Sequence, residues 1–192
     1  MDNSSYLQLV PSPVALVTGA NKGIGFEISR ILAESGIFVW LAGRDPARIQ
    51  TAAASLGVAL STIDVRDKSA IEQAVASFAS QPNGGLVTLR ISENVALRDS
   101  LVALAAKYRL PAIYPLRVFA TSGGLASYGP DIIEEYREAA GYVDRILRGE
   151  KPANLPVQVA SKYQLVINLK TAKSLGLAIP ETILATADEV LE

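Results

Sequence analysis

Gly19, Gly23 and Gly25 stand in the spacing Gly-x-x-x-Gly-x-Gly, after the apolar run Val14 to Val17 and at the start of a stretch with Ile24, Ile28, Ile31 and Leu32 at helical intervals. A strand that ends in such a loop and feeds a helix can bring its backbone against a pyrophosphate. Glycines allow the tight turn and the close approach, and the helix N-terminus offers N–H groups and a partial positive charge. The candidate contacts are Gly19, Asn21, Lys22, Gly23, Ile24 and Gly25. Leu41-Ala-Gly-Arg44-Asp45 falls where the second strand of such a unit ends. An acid there would bond a ribose 2′-hydroxyl, whereas Arg44 with Lys22 would favour a 2′-phosphate by charge and forked geometry. Arg44 also reads as a solvated charge at the strand end.

Other chemistry is tightly bounded. The 192 residues include no histidine and no cysteine, which removes the commonest general base, the commonest zinc ligand, the Ser-His-Asp and Cys-His arrangements, and disulfides. No catalytic residue and no metal ligand set is expected. Ser127, Tyr128 and Asp131 lie in a glycine-rich stretch before a helix, where a hydroxyl and N–H groups could meet a carboxylate. The plainer reading is a turn followed by an N-cap. Tyr136 and Tyr142 on the following helix read as packing residues.

The elements that must position these residues alternate between strand and helix. The pattern predicts strands over 14–17, 37–42 and 58–63 and helices over 23–35, 46–56 and 67–78, the last with Ser69 and Glu72 spaced as a capping box. Gln81-Pro-Asn-Gly-Gly85 is a turn cluster. Beyond it the pattern predicts strands over 86–91, 112–114 and 163–169 and helices over 95–108, 131–148 and 171–175. Such alternation predicts parallel pairing with helices on both sheet faces: an α/β class, three-layer α/β/α sandwich, with a Rossmann-like mostly parallel sheet. One domain over 1–192 is expected, built from halves 1–80 and 81–192.

Hydrophobic residues make up 49% and the formal net charge is −1, so there is no basic stripe to attract nucleic acid and no acidic tail. The start, Met1-Asp-Asn-Ser-Ser-Tyr-Leu-Gln-Leu-Val-Pro-Ser-Pro13, does not read as an export signal, and no run approaches the length of a membrane helix. A cytoplasmic chain without nucleic-acid or membrane partners is expected, its oligomeric state open.

Residues 14 to about 78 resemble the short-chain dehydrogenase/reductases through Val14-Ala-Leu-Val-Thr18-Gly19-Ala20-Asn21-Lys22-Gly23-Ile24-Gly25. Residues from about 84 to 192 resemble the C-terminal part of the periplasmic substrate-binding proteins of ABC transporters. The resemblance lies in Leu110-Pro-Ala-Ile-Tyr-Pro115, Gly123-Gly-Leu-Ala-Ser-Tyr-Gly-Pro130 and Gln164-Leu-Val-Ile-Asn-Leu-Lys-Thr-Ala-Lys-Ser-Leu-Gly176. The join falls near Ser77 to Asn83, which reads as a recombined chimera, made by design, whose second half completes the sheet of the first. The first resemblance implies NADP over NAD, with Asp64 and Val65 at the adenine position; Asp64 also reads as a helix-entry residue.

That family's chemistry uses a Tyr-x-x-x-Lys pair, in which lysine lowers the phenol pKa. None of the seven tyrosines has lysine at the fourth place on, and the region after the fourth strand reads Leu89-Arg-Ile-Ser-Glu-Asn94 in place of Asn-Asn-Ala-Gly. The expectation is therefore a chain that is not an enzyme and retains NADP(H) binding at its glycine loop. A folding scaffold with no ligand and a small-molecule-binding fragment of a transporter receptor are the alternatives.

Overall fold

The structure, a computed structural model, describes residues 13–18, 20, 22–42, 46–56, 68–80, 83–89 and 96–192. The chain divides into two units, Met1–Ile113 and Tyr114–Glu192.

In the first unit Val14–Thr18 (β1) pairs parallel with Phe38–Ala42 (β2) on one side and with Gly84–Val87 (β3) on the other. Strand β3 pairs parallel in turn with Ala112–Tyr114 (β4). Ala15, Leu16, Val17 and Thr18 are all buried, the unbroken pattern of a strand covered on both faces. The described helices of this unit are Gly23–Glu34 (α1), Pro46–Leu56 (α2), Lys68–Ala79 (α3) and Arg98–Lys107 (α4). Val17, Ala20, Val39 and Leu41 pack with Ala52 and Ala53 of α2, and Phe26, Ile28 and Leu32 of α1 close over them. Phe78 is fully buried and meets the Trp40 ring edge-on at 5.5 Å. Gly84 makes room for it, since a Cβ there would stand 3.0 Å from the Phe78 ring.

In the second unit Ala126–Pro130 (β5) pairs antiparallel with Tyr163–Asn168 (β6), and β6 pairs parallel with Glu189–Leu191 (β7). The helices are Arg117–Thr121 (α5), Ile132–Leu147 (α6), a 3-10 turn at Pro152–Asn154, Leu169–Leu175 (α7) and Glu181–Leu184 (α8). Tyr114 and Phe119 stack at 5.0 Å in the core of this unit. Two glycines are dictated by close approach: a Cβ on Gly124 would sit 2.6 Å from the Tyr114 ring, and one on Gly129 would sit 1.8 Å from the Pro115 carbonyl oxygen. Arg117 donates to both carboxylate oxygens of Glu189 at 2.6 Å, joining α5 to β7.

The α/β class with mostly parallel pairing is as expected, and α2 and β4 fall on their expected bounds. Strand β3 begins at Gly84, two residues ahead of the expected start, because Gly84 and Gly85 pair with Val14 and Ala15 of β1. Helix α3 begins at Lys68, so Ser69 lies inside the first turn and not at the cap. The glycine-rich stretch read as a loop is strand β5, and Ser127 is therefore a buried strand residue. Tyr136, read as packing, is instead 75% exposed, on a helix with no buried residue. The expected strand over 58–63 lies outside the described residues.

Candidate functional site

Strand β1 has β2 on one side and β3 on the other, so the chain leaves β1 through α1 toward β2 and later returns on the opposite side at β3. In a parallel sheet this reversal of direction leaves a crevice beyond the C-terminal ends of the two strands, the usual place for a ligand. The two ends are tied there: Leu89 donates its N–H to Thr18 Oγ1 at 3.2 Å. One strand farther, Thr88 donates its N–H to the Ile113 carbonyl at 3.1 Å.

Helix α1 opens at this crevice. Lys22, its N-cap, is extended and makes no side-chain cap bond, and the first turn holds no acid. Among the described residues, neither the Lys22 side chain nor a first-turn acid meets the leading N–H groups and the positive end of this helix. Gly23 has φ +60 with open space around it, so glycine serves the backbone conformation and not packing. Lys22 and Gly23 are exposed and Ile24 is 75% exposed, whereas Gly25 is buried and its carbonyl accepts a bond from buried Ser29 Oγ at 2.8 Å. Glu27, one turn on, is engaged by Arg30 at 2.8 Å. Ser29 was not foreseen; its helical spacing from Gly25 is the signal that could have found it. Gly19, Asn21, Arg44, Asp64 and Val65 lie outside the described residues.

In the second unit, Asp131 is the N-cap of α6: its carboxylate accepts from Ile133 N at 3.1 Å and Glu134 N at 3.3 Å. Its other oxygen accepts from Gln164 Nε2 at 2.9 Å, with Lys162 Nζ at 3.4 Å. Burial alone would raise the Asp131 pKa, but the Glu134 N–H, Lys162 and the Ile133 N–H together hold its carboxyl below the ordinary range. Tyr128 is 56% exposed and stacks on Tyr163 with ring centres 5.8 Å apart. Ser127 Oγ and Tyr114 OH are buried with no hydrogen-bond partner among the described residues. Among the described residues no cluster of acids is placed to hold a metal ion. Nor is any helix long and apolar enough to cross a membrane.

Residues 46–191 match the ABC transporter substrate binding protein family. The chain belongs to that family. Two solved structures share its fold. A conserved domain protein from Vibrio cholerae has a TM-score of 0.62 at 25% identity, the match covering 96% of this chain and 56% of that one. The ABC domain of a Streptococcus pneumonia protein in complex with L-Trp has a TM-score of 0.63 at 22% identity, covering 95% and 57%.

Part of the chain has relatives of another kind. The NADPH carbonyl reductase 1 of Mus musculus is 42% identical over 93 residues, covering 45% of this chain and 33% of the reductase. The (-)-isopiperitenone reductase of Mentha piperita is 71% identical over 34 residues, covering 18% and 11%. The chain thus spans a third or less of the length of these curated relatives. A substrate-binding-protein resemblance and a dehydrogenase/reductase resemblance meet in one chain, as its motifs indicate. The first reaches back to residue 46, ahead of the join expected near residues 77–83.

These relatives correct one expectation. The chain was expected not to be an enzyme because no Tyr-x-x-x-Lys pair is present; relatives over part of the chain are reductases, at 71% and 42% identity. The absence of one residue spacing tests a single arrangement of proton donor and cation, and a proton can reach a substrate by other arrangements.

Proposed function

We propose that the loop between β1 and α1 is an NADP(H) site of the reductase type, carried in a recombined chain whose remainder is a substrate-binding-protein unit. The observation that carries this reading is the acid-free N-terminus of α1, which the Lys22 side chain does not cap, opening at the reversal point between β1 and β3. Gly19, Asn21, Lys22, Gly23, Ile24 and Gly25 would hold the pyrophosphate, Arg44 the 2′-phosphate, and Asp64 with Val65 the adenine. The bound cofactor supplies hydride exchange. The chain's part is to orient it, with Gly25 letting the helix start approach and Ser29 bracing the Gly25 carbonyl from beneath. Carbonyl reductases among the relatives support a carbonyl as the hydride acceptor.

Titration with NADPH, followed by cofactor fluorescence, tests the site. Saturable binding that is weaker for NADH and lost in Gly25→Asp is expected, since a carboxylate at the buried Gly25 would face the pyrophosphate. No saturation at millimolar NADPH by a folded protein would overturn it. NADPH oxidation with a panel of ketones and aldehydes then tests the reaction class.

A second reading has its own observation. Ser127 Oγ is buried without a partner among the described residues, in the unit that matches the transporter-receptor family, which supports recognition of a small polar ligand there. A thermal-shift screen with amino acids is the measurement; a Ser127-dependent shift supports it.

A further inference from the structure

Between α6 and β6 the chain returns through the 3-10 turn and then runs from Pro156 to Lys162 in neither helix nor strand. Among the described residues, no backbone hydrogen bond involves Val157, Gln158, Val159, Ala160 or Ser161. The linkers at 122–124 and 185–188 differ. Backbone bonds hold them, among them Gly124 N–H to the Phe119 carbonyl and Asp188 N–H to the Leu165 carbonyl, both at 2.9 Å. Two side-chain bonds fasten the return segment instead: Tyr142 OH of α6 donates to the Pro156 carbonyl at 2.6 Å, and Ser161 Oγ donates to Glu138. Between those two ties Val157 is 98% exposed and Val159 85%.

Backbone in this condition is what a protease cleft accepts. The cleft takes its substrate as an extended strand and hydrogen-bonds to that strand's own N–H and C=O groups, so a segment whose groups are already paired must first unfold. An exposed segment free of ladder bonds enters without that step. The residue types select the class of enzyme. Positions 155–161 hold no lysine, arginine or aromatic residue, and Lys151 is followed by Pro152, which has no backbone N–H to offer. Lys162 is held in the fold, its carbonyl accepting from the Asp131 N–H at 3.0 Å and its Nζ 3.4 Å from the Asp131 carboxylate. Val157, Val159 and Ala160 suit a pocket for small aliphatic side chains.

The contacts around the segment determine what a cut leaves. Strands β5 and β6 are paired from Ala126–Ile167 to Pro130–Tyr163, and Val166 and Ile167 are buried. Arg117 holds Glu189 through both carboxylate oxygens. None of these contacts uses residues 157–161.

We propose that residues 157–161 are a site of limited proteolysis for an enzyme that takes a small aliphatic residue before the cut bond, and that the cut chain stays together as one particle. Water adds across one amide: the carbonyl carbon takes the hydroxyl, the nitrogen takes the proton, and a carboxylate and an amine result.

Digestion of the full chain with dilute elastase, followed by intact mass and size-exclusion chromatography, tests this. A fragment that begins at Gln158, Ala160 or Ser161 and ends at Glu192 is expected, eluting with the remainder in buffer and parting from it in urea. Combining Val157→Asp, Val159→Asp and Ala160→Asp should slow its release by about tenfold with an unchanged helical spectrum, since the enzyme's pocket loses its aliphatic residue. The proposal is overturned if no such fragment forms, or if it forms only in urea that unfolds the chain. A triple variant cut there as fast as the parent, or two pieces that separate on the column in buffer, would overturn it equally.

Discussion

Thr18 Oγ1 accepts the Leu89 backbone N–H at 3.2 Å, across 71 residues of sequence, and so ties the ends of β1 and β3 beside the start of α1. This bond lies at the crevice in which the proposed cofactor would lie. Thr18→Val keeps the shape and removes that acceptor. Unfolding in urea should show a loss of about 1 kcal/mol, and NADPH binding should weaken by more than that loss of stability predicts.

Gly23 and Gly141 predict opposite outcomes for the same substitution. Gly23→Ala forces a side chain into φ +60 and should cost about 1 kcal/mol, although nothing stands near the new methyl group. Gly141→Ala lies inside α6 with open space around it and should stabilise by roughly 0.5–1 kcal/mol. Paired thermal melts check both.

Gly129→Ala should be the most damaging glycine substitution in the second unit, because its Cβ would meet the Pro115 carbonyl oxygen at 1.8 Å and backbone cannot step aside as a side chain can. A loss of about 3–5 kcal/mol is expected, read as the shift in the denaturant midpoint.

Tyr114→Phe should raise stability by about 1 kcal/mol, since the phenol oxygen is buried without a partner among the described residues while the ring stacks on Phe119. Burial likewise pushes the Tyr114 phenol pKa well above its ordinary value, so ultraviolet titration should show one tyrosine that fails to ionise with the rest until the fold opens.

Asp131 sets an acid limit. Its folded pKa lies below the unfolded one, so its contribution is complete above the ordinary carboxylate value of about 4 and is lost as pH falls through the lower folded value. Hydrogen bonds from Arg117 and Arg145 lower the pKa values of Glu189 and Glu150 in the same direction. The denaturant midpoint should hold from neutral pH down to that range and then drop, and Asp131→Asn should make the drop shallower.

Much of this was legible in the residues. Apolar periodicity and the Pro at the first turn marked α2 to the residue, and the Asp131 cap marked the start of α6, because both signals are local. Strand β5 was not legible, because Ala126-Ser-Tyr-Gly-Pro130 has the composition of a turn and becomes a strand only by pairing with Tyr163 to Ile167. The short α5, α8 and β7 also escaped, being too brief for a period to show.

The sequence by itself determined the strand-helix alternation, the glycine loop, the lack of histidine and cysteine, and the two resemblances, since each rests on residues close together along the chain. Only the tertiary structure decided that Thr18 reaches Leu89, that Ser127 and Tyr114 are buried without partners among the described residues, and that the apolar side of α6 faces outward. Those facts depend on which strands become neighbours and on what covers a helix face. Amphipathic spacing says that a helix has an apolar side, but only packing decides whether the chain itself covers it.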